Sequence, residues 1–146
     1  MKRTTLLAIS LLLAGSAHAA GNLPDEAIMF KDPNCGCCEG YARHLEANGV
    51  EVRIVHTDRS QMADTKAKAG VPHDVRSCHT IAMGGYAIEG HVPFEAIEQL
   101  FDERPQVDGI GLAGMPSGSP GMPGPKSSAF EVKSFTGGQS ASFTSL

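Results

Sequence analysis

The sequence has no cluster of lysine and arginine, no apolar run long enough to cross a bilayer and no evenly spaced set of cysteines. Its 12 basic residues are scattered among 16 acidic ones, and a formal net charge of -4 argues against a nucleic-acid partner. The length of 146 residues and a hydrophobic content of 41% are typical of a single globular domain with a substantial core. We therefore expect one folded unit that binds no nucleic acid.

The first residues have the pattern of a secretory signal peptide. Lys2 and Arg3 precede an apolar run over residues 6–13, and residues 17–19 read Ala-His-Ala, a typical cleavage site. The apolar run is too short to cross a bilayer of about 30 Å as a helix. No cysteine lies near the cleavage site, which argues against a lipoprotein. We predict a signal peptide over residues 1–19, a periplasmic location and, because the remaining chain is more acidic, no membrane partner.

Hydrophobic periodicity predicts seven elements in the order β-α-β-α-β-β-α. The strands are predicted over residues 27–31, 50–56, 78–83 and 86–88, the last two joined by the hairpin signal Gly84-Gly85. Helices are predicted from Cys37 to the stop signal Asn48-Gly49, over residues 60–69 with Met62 and Ala63 facing inward, and over residues 94–101. This order is typical of an α/β fold with a mixed sheet.

The composition changes after residue 108. Residues 109–125 are rich in glycine, proline and serine, which predicts a loop and argues against a helix or a central strand. Residues 130–135 are predicted to form a late edge strand, and residues 137–146 a loosely held end. We accordingly predict a folded domain over residues 27–122 and a C-terminal extension over residues 123–146.

Three of the four cysteines lie together in Cys35-Gly36-Cys37-Cys38, and the fourth is Cys78. A Cys-x-x-Cys that follows a strand and begins a helix is the thioredoxin-like arrangement. The partial positive charge of the helix N-terminus stabilises thiolate over thiol. Because thiolate is both a nucleophile and a metal ligand, the motif alone is compatible with redox chemistry and with metal binding.

Three features favour metal binding. Cys37 is a third thiol that a dithiol switch does not need, and Cys78-His79 begins a strand expected to run beside the motif. Thiolate, thioether and imidazole together prefer copper(I) to hard cations. Zinc is the alternative metal, but adjacent Cys37-Cys38 would suit sulfur-bridged ions better than one tetrahedral ion. We therefore expect copper(I), as a single ion or as several bridged ions.

Other candidate ligands are histidines and methionines. The full set is Cys35, Cys37, Cys38, Cys78, His79, His91, Met115 and Met122. The histidines could instead be ordinary surface or core residues, and the methionines of the Gly/Pro-rich loop could simply pack over the core. His44, His56 and His73 are predicted to be solvated, with no metal role.

Four blocks of sequence occur in a characteristic order. They are Lys31-x-Pro33-x-Cys35-Gly36-Cys37-Cys38, Ser77-Cys78-His79-Thr80, Tyr86-x-Ile88-Glu89-Gly90-His91-Val92-Pro93 and Gly114-Met115-Pro116-x-Gly118-Ser119-Pro120-Gly121-Met122. Together they resemble the CopG-type periplasmic copper-resistance proteins. The resemblance implies a thioredoxin-like fold and copper binding by Cys35, Cys37, Cys38 and Cys78, with weaker transfer to the histidines and methionines. It also implies a role in copper tolerance beside other periplasmic copper-handling proteins, including copper redox chemistry. Tyr41 departs from the family pattern, in which we expect tryptophan.

Two other functions stay open. The first is a thiol-disulfide oxidoreductase that uses Cys35 and Cys38. It is the alternative to a copper-binding protein, whether or not that protein is also a copper-dependent oxidoreductase. No proline directly precedes Cys78, whereas thioredoxins usually place a cis-proline there, and this weakens the first alternative. The second is a structural zinc module, which chelators would unfold.

Overall fold

The computed structural model describes residues 23–146, so the predicted signal peptide over residues 1–19 lies outside the described residues. The described residues form seven strands and three α-helices. In chain order they are β1 (Glu26–Lys31), α1 (Gly36–Ala47), β2 (Glu51–His56), α2 (Arg59–Lys68), a 3-10 turn (His73–Val75), β3 (His79–Met83), β4 (Tyr86–Glu89), α3 (Phe94–Glu103), β5 (Gly109–Leu112), β6 (Glu131–Thr136) and β7 (Gln139–Ser145). The first seven strands and α-helices therefore follow the predicted order.

All the strands of the described residues belong to one mixed sheet, in the order β2-β1-β3-β4-β5-β6-β7. β1 pairs with β2 and β4 pairs with β5 in parallel, while the other neighbours are antiparallel. The prediction of an α/β fold with a mixed sheet is confirmed. None of the helices formed by residues 23–146 has the length and apolar character that a membrane span requires.

The pairing of β1 with β3 determines where the cysteines meet. β1 ends at Lys31, which lies opposite His79 at the start of β3. Helix α1 begins five residues after that point, at Gly36. The Cys-x-x-Cys motif and the start of β3 therefore lie at the same end of the sheet.

Helices α1 and α3 share one hydrophobic core with the central strands. Leu45 of α1, Ile97 of α3 and Ile81 of β3 are all fully buried in it. Burying side chains of this size contributes about 1.5–3 kcal/mol each. Cys38 and Tyr41 of α1 are fully buried in the same core, so the N-terminal part of α1 is packed against the sheet as well.

Helix α2 lacks such an apolar stripe. Its one buried side chain among the described residues is Lys66, while Met62 is half-buried and Ala63 is exposed. The prediction that Ala63 faces inward is therefore wrong. The helix turns a charged side chain toward the sheet, and that arrangement leaves no signal in an apolar pattern.

The chain after α3 differs from the prediction. Gly109–Leu112 forms β5, an interior strand, where the sequence favoured a loop and argued against a central strand. A Cβ atom at Gly109 would collide with the backbone oxygen of Ala87 on β4 and with the ring of Phe135 on β6. Glycine in this strand thus marks close approach of neighbouring chains, a role in which glycine does occur inside sheets.

The C-terminal residues are also more ordered than predicted. The strand foreseen over residues 130–135 is present as β6, but it lies between β5 and β7 and is not an edge. The edge is β7, formed by residues that the sequence suggested were loosely held. Gly137 and Gly138, both with positive φ, turn the chain so that β7 pairs with β6. The sheet therefore continues beyond residue 122, where we placed the end of the folded domain.

Candidate metal centre

The four cysteines converge at the N-terminus of α1. Cys35 occupies the position before the first helical residue, and Cys37 and Cys38 lie in the first turn. The four Sγ atoms all lie within 4.8 Å of one another. Cys35 and Cys38 form a disulfide bond, while Cys37 and Cys78 are free thiols.

Individual distances show how closely the sulfurs are grouped. The Sγ atom of Cys37 lies 3.4 Å from that of Cys35, and the Sγ atom of Cys78 lies 3.5 Å from that of Cys38. Cys78 comes from the residue directly before β3, which runs beside β1. The expectation that this part of the chain faces the motif is confirmed.

A second group of candidate ligands shares Cys78 with the first. The Sγ atom of Cys78 lies 3.3 Å from Nδ1 of His79 and 3.2 Å from Nε2 of His91. The other ring nitrogen of His91, Nδ1, lies 2.7 Å from the carbonyl oxygen of Pro120 and donates to it. That bond leaves the Nε2 lone pair directed toward Cys78, the arrangement in which histidine binds metals.

His79 is fully buried, and its Nε2 atom has no hydrogen-bond partner among the described residues. The centroid of its ring lies 5.0 Å from the ring centroid of Tyr41 and 4.9 Å from that of His91. Such a buried polar atom is costly unless something satisfies it. The ring nitrogen that faces the Cys78 sulfur is Nδ1, so a cation held beside Cys78 would bind Nδ1 and would not satisfy Nε2.

Electrostatics keep this group free of positive charge. Burial, followed by the nearby imidazole of His91 and the charge of Lys66, lowers the pKa of His79 to about 3. Burial also lowers the pKa of His91, so both imidazoles are neutral near pH 7. Burial and the neighbouring sulfur of Cys37 raise the pKa of the Cys78 thiol to about 12. A cation would displace that thiol proton on binding.

The Gly/Pro-rich loop brings one methionine to the cysteines. The Sδ atom of Met115 lies 3.9 Å from the Sγ atom of Cys37, and the Met115 side chain is half-exposed. Met122 lies farther along the loop, where its backbone N–H donates to the carbonyl oxygen of Ser119 at 2.9 Å. The structure thus places Met115 at the sulfur cluster, while Met122 belongs to the turn of the loop that lies against α1.

Gly121 is the point at which the loop contacts α1. Its φ of +80° lies in the left-handed region, and a Cβ atom there would lie 2.5 Å from the backbone nitrogen of Tyr41. A Cβ on Gly40 would in turn lie 3.1 Å from the carbonyl oxygen of Gly121. Two facing glycines therefore let the loop approach the helix that carries the cysteines.

The other histidines lie outside these two groups. His73 is exposed, whereas His44, which we predicted to be solvated, is half-buried, with its Nε2 atom buried and unpartnered among the described residues. His44 lines a cavity of about 430 Å³ beside Glu95 and Lys126. The sequence pattern gave no sign of this cavity, because its walls come from distant parts of the chain.

The structure also shows a polar network that sequence reasoning missed. Glu89 is fully buried, and its carboxylate contacts Lys66, Thr80 and the backbone of Ser77. Glu89 and Thr80 stand in the sequence blocks that contain His91 and His79. The sequence signal that could have indicated this network is the position of Glu89 directly before Gly90-His91.

The donors of the site fit a soft metal ion. Cysteine sulfur, methionine sulfur and neutral imidazole suit copper(I) and zinc, and no carboxylate belongs to either candidate ligand group of the described residues. In the disulfide form, the two free thiols of Cys37 and Cys78 remain available as thiolate ligands. Reduction of the Cys35–Cys38 bond would make all four available.

Two solved structures, described as copper resistance protein copG, Form 1 and Form 2, are similar to this chain. The Form 1 chain is 38% identical, with a TM-score of 0.75, and the match covers 84% of this chain and 98% of that one. The Form 2 chain is 39% identical, with a TM-score of 0.74 and the same coverage of both chains. The family described as "Protein of unknown function, DUF411" matches residues 75–122, which include Cys78, His91 and both loop methionines. No curated protein matches the chain.

Proposed function

Because this chain belongs to the family of the copper resistance protein CopG, we propose that it binds copper(I) in the periplasm and contributes to copper resistance. The observation that carries the proposal is the convergence of four cysteine sulfurs within 4.8 Å of one another. Soft sulfur donors at this density favour copper(I) over hard cations. Copper ions are cargo or substrate in this account.

We assign copper(I) binding to the two groups of candidate ligands that share Cys78. The proposed ligands are Cys35, Cys37, Cys38, Cys78, His79, His91, Met115 and Met122. A cysteine common to two donor groups is suited to bridge ions, which supports binding of several copper(I) ions as a thiolate cluster. Zinc is the alternative metal for the same donors.

The disulfide adds a redox function to the proposal. Cleavage of the Cys35–Cys38 bond consumes two electrons and two protons and yields two thiols. Oxidation of two copper(I) ions to copper(II) releases two electrons, so the two half-reactions balance. In this proposal the chain cycles the oxidation state of copper, and copper(I) binding is strongest after the disulfide is reduced.

The remaining assignments follow from the same family and sequence. The Lys-Arg start, the apolar run and the Ala-His-Ala site over residues 1–19 support export as a signal peptide. A Cys-x-x-Cys at a helix start beside a mixed sheet supports a thioredoxin-like classification of the domain over residues 27–122, with residues 123–146 as an extension that adds β6 and β7 to its sheet. Other periplasmic copper-handling proteins are the proposed partners.

Anaerobic titration of the reduced protein with copper(I), in competition with a chromogenic chelator, tests the proposal. We expect sub-micromolar affinity in the wild type and a loss of more than about tenfold in Cys38→Ser and in Cys78→Ser, because even residues that only orient a ligand cost 10–100-fold when changed. His73→Asn, which changes an exposed histidine, is the control and should match the wild type. Unchanged affinity in both cysteine variants would overturn the assignment.

A thiol-disulfide oxidoreductase is the second candidate, because Cys35 and Cys38 form a disulfide at a helix N-terminus. It predicts turnover of a disulfide substrate that copper inhibits and that Cys37→Ser and Cys78→Ser retain. The copper proposal predicts the opposite pattern, with both variants losing copper affinity. Disulfide turnover and copper(I) affinity, both measured in the wild type, Cys37→Ser and Cys78→Ser, therefore separate the two functions.

A further inference from the structure

One buried carboxylate joins the two chain segments that carry Cys78, His79 and His91. Oε1 of Glu89 accepts a hydrogen bond from the backbone N–H of Ser77 at 2.6 Å. The same oxygen lies 2.5 Å from the Nζ atom of Lys66, and Oε2 accepts from the hydroxyl of Thr80 at 2.6 Å. Glu89 is fully buried, and both of its carboxylate oxygens are engaged in these contacts.

These contacts occur directly beside the candidate ligands. Ser77 immediately precedes Cys78-His79, and Glu89 immediately precedes Gly90-His91. The pairing of β3 with β4 begins at Thr80 and Glu89, and the Gly90 N–H donates to the carbonyl oxygen of His79 at 3.1 Å. The bond between Glu89 and the Ser77 N–H adds a tie beyond that pairing, at the residue directly before Cys78. The 3.2 Å separation between the Cys78 sulfur and Nε2 of His91 depends on how those two segments are held.

Lys66 supplies the charge that balances this carboxylate. It is the one buried side chain of α2, and its Nζ atom also donates to the Thr80 hydroxyl at 3.1 Å. Burying an ion pair is an inefficient way to dock a helix, since a well-packed apolar pair of similar volume often gives equal or greater stability. An apolar pair, however, could not accept a hydrogen bond from the Ser77 N–H.

We propose that Glu89 is a positioning residue of the metal centre, which sets the spacing between the Cys78-His79 segment and His91 through its bond to the Ser77 N–H. Lys66 acts through Glu89 by balancing the charge of its carboxylate. This ion pair lies on the face of the sheet opposite the core that contains α1. The inference deepens the proposed copper function and rests on it. Neither residue contacts the metal.

Two double variants separate positioning from simple packing. K66M/E89Q removes both charges but leaves an amide oxygen that can accept from Ser77, whereas K66M/E89L removes the charges and the acceptor together. Copper(I) itself is the probe, in the chelator competition described above, and thermal unfolding reports on folding. K133M, at the exposed Lys133–Asp74 pair, is the control for loss of an ion pair.

We expect K66M/E89Q and K133M to bind copper(I) within about threefold of the wild type. K66M/E89L should bind 10–100-fold more weakly, the usual effect of removing a group that orients a ligand, and its copper absorption spectrum should change. Equal affinity in the two double variants at equal thermal stability would overturn the proposal. So would an equal loss in both, because that result would assign the effect to packing.

A backbone change provides the same test if K66M/E89L does not fold. Ser77→Pro removes both the N–H that Glu89 accepts from and the hydroxyl that contacts Gly114 and the Cys78 sulfur, whereas Ser77→Ala removes the hydroxyl alone. We expect weaker copper(I) binding by at least tenfold in Ser77→Pro relative to Ser77→Ala. Equal affinities of these two variants would overturn the role of Glu89.

A copper-free measurement separates this inference from the proposed function. Wild-type protein that binds no copper(I) would refute the copper function alone. The rate at which iodoacetamide alkylates Cys78 still reports on the position of its segment. A rate that rises in K66M/E89L but not in K66M/E89Q supports the positioning role, and equal rates contradict it.

Discussion

The sulfur of Cys78 lies 3.5 Å from the sulfur of Cys38, although 40 residues separate them in the chain. The contact exists because β3 pairs with β1, the strand that leads into α1. The cluster therefore depends on the sheet and not on the Cys-x-x-Cys motif alone. Loss of the β3 segment would leave only the cysteines at the N-terminus of α1.

Reduction of the Cys35–Cys38 disulfide should strengthen copper(I) binding by at least tenfold, because it doubles the number of thiols from two to four. Chelator competition before and after anaerobic reduction measures the change. The Cys35→Ser/Cys38→Ser variant cannot form the bond and should show no effect of the reductant. A gain of the same size in that variant would contradict the prediction.

Alkylation of Cys78 should depend on pH up to unusually high values. Its pKa is raised to about 12 by burial and by the neighbouring Cys37, and only the thiolate reacts. In the metal-free disulfide form the rate should rise about tenfold per pH unit from pH 8 to 11. Peptide mass spectrometry distinguishes Cys78 from Cys37.

Cys37→Ser provides the control for this titration, since it removes one cause of the shift. The pKa of Cys78 should fall in the variant, and alkylation at a fixed pH should become faster. A rate that levels off near pH 9 in the wild type would show that Cys78 has the ordinary pKa of an exposed thiol.

Gly121→Ala should destabilise the protein more than Gly49→Ala. Both glycines have positive φ, which costs alanine about 1–3 kcal/mol. A Cβ at Gly49 meets open space, whereas one at Gly121 lies 2.5 Å from the nitrogen of Tyr41. The added clash should cost about 1–3 kcal/mol more, measured by urea unfolding. Equal losses would mean that the loop does not pack on α1 in solution.

Tyr41→Phe should reduce stability by about 1–3 kcal/mol, because it leaves a buried carbonyl without its donor. The Tyr41 hydroxyl donates to the carbonyl oxygen of Val92 at 2.7 Å, in the fully buried interior. Tyr86→Phe is the matched control, since that hydroxyl donates to Pro105 at 3.1 Å from a half-buried position. Differential scanning calorimetry should show the larger decrease in melting temperature for Tyr41→Phe.

Much of the fold was predictable from the sequence up to α3. Apolar side chains recur with clear helix or strand periods there, as in Ile97, Leu100 and Phe101 of α3, and those side chains form the core. β5 was missed because two of its four residues are glycines, which are depleted in strands. Glycine is needed at these positions because the neighbouring strands approach closely, and only the assembled sheet shows that approach.

The grouping of the cysteines could be predicted from the sequence. The buried contact between Lys66 and Glu89 beside them could not. Cys78 could be placed beside the motif because it begins a strand that, in a thioredoxin-like arrangement, runs beside the Cys-x-x-Cys. The contact between Lys66 and Glu89 joins α2 to β4 across 23 residues, and neither residue interrupts a hydrophobic pattern. A buried ion pair of this kind resembles ordinary surface charge in the sequence.

Metal analysis combined with copper X-ray absorption spectroscopy, on protein purified without oxygen, tests the central claim most directly. We predict that the reduced chain contains copper in the +1 state, with sulfur as its main ligand, and that Cys78→Ser loses most of this copper. Stoichiometric zinc, or copper bound only by nitrogen and oxygen, would contradict the account.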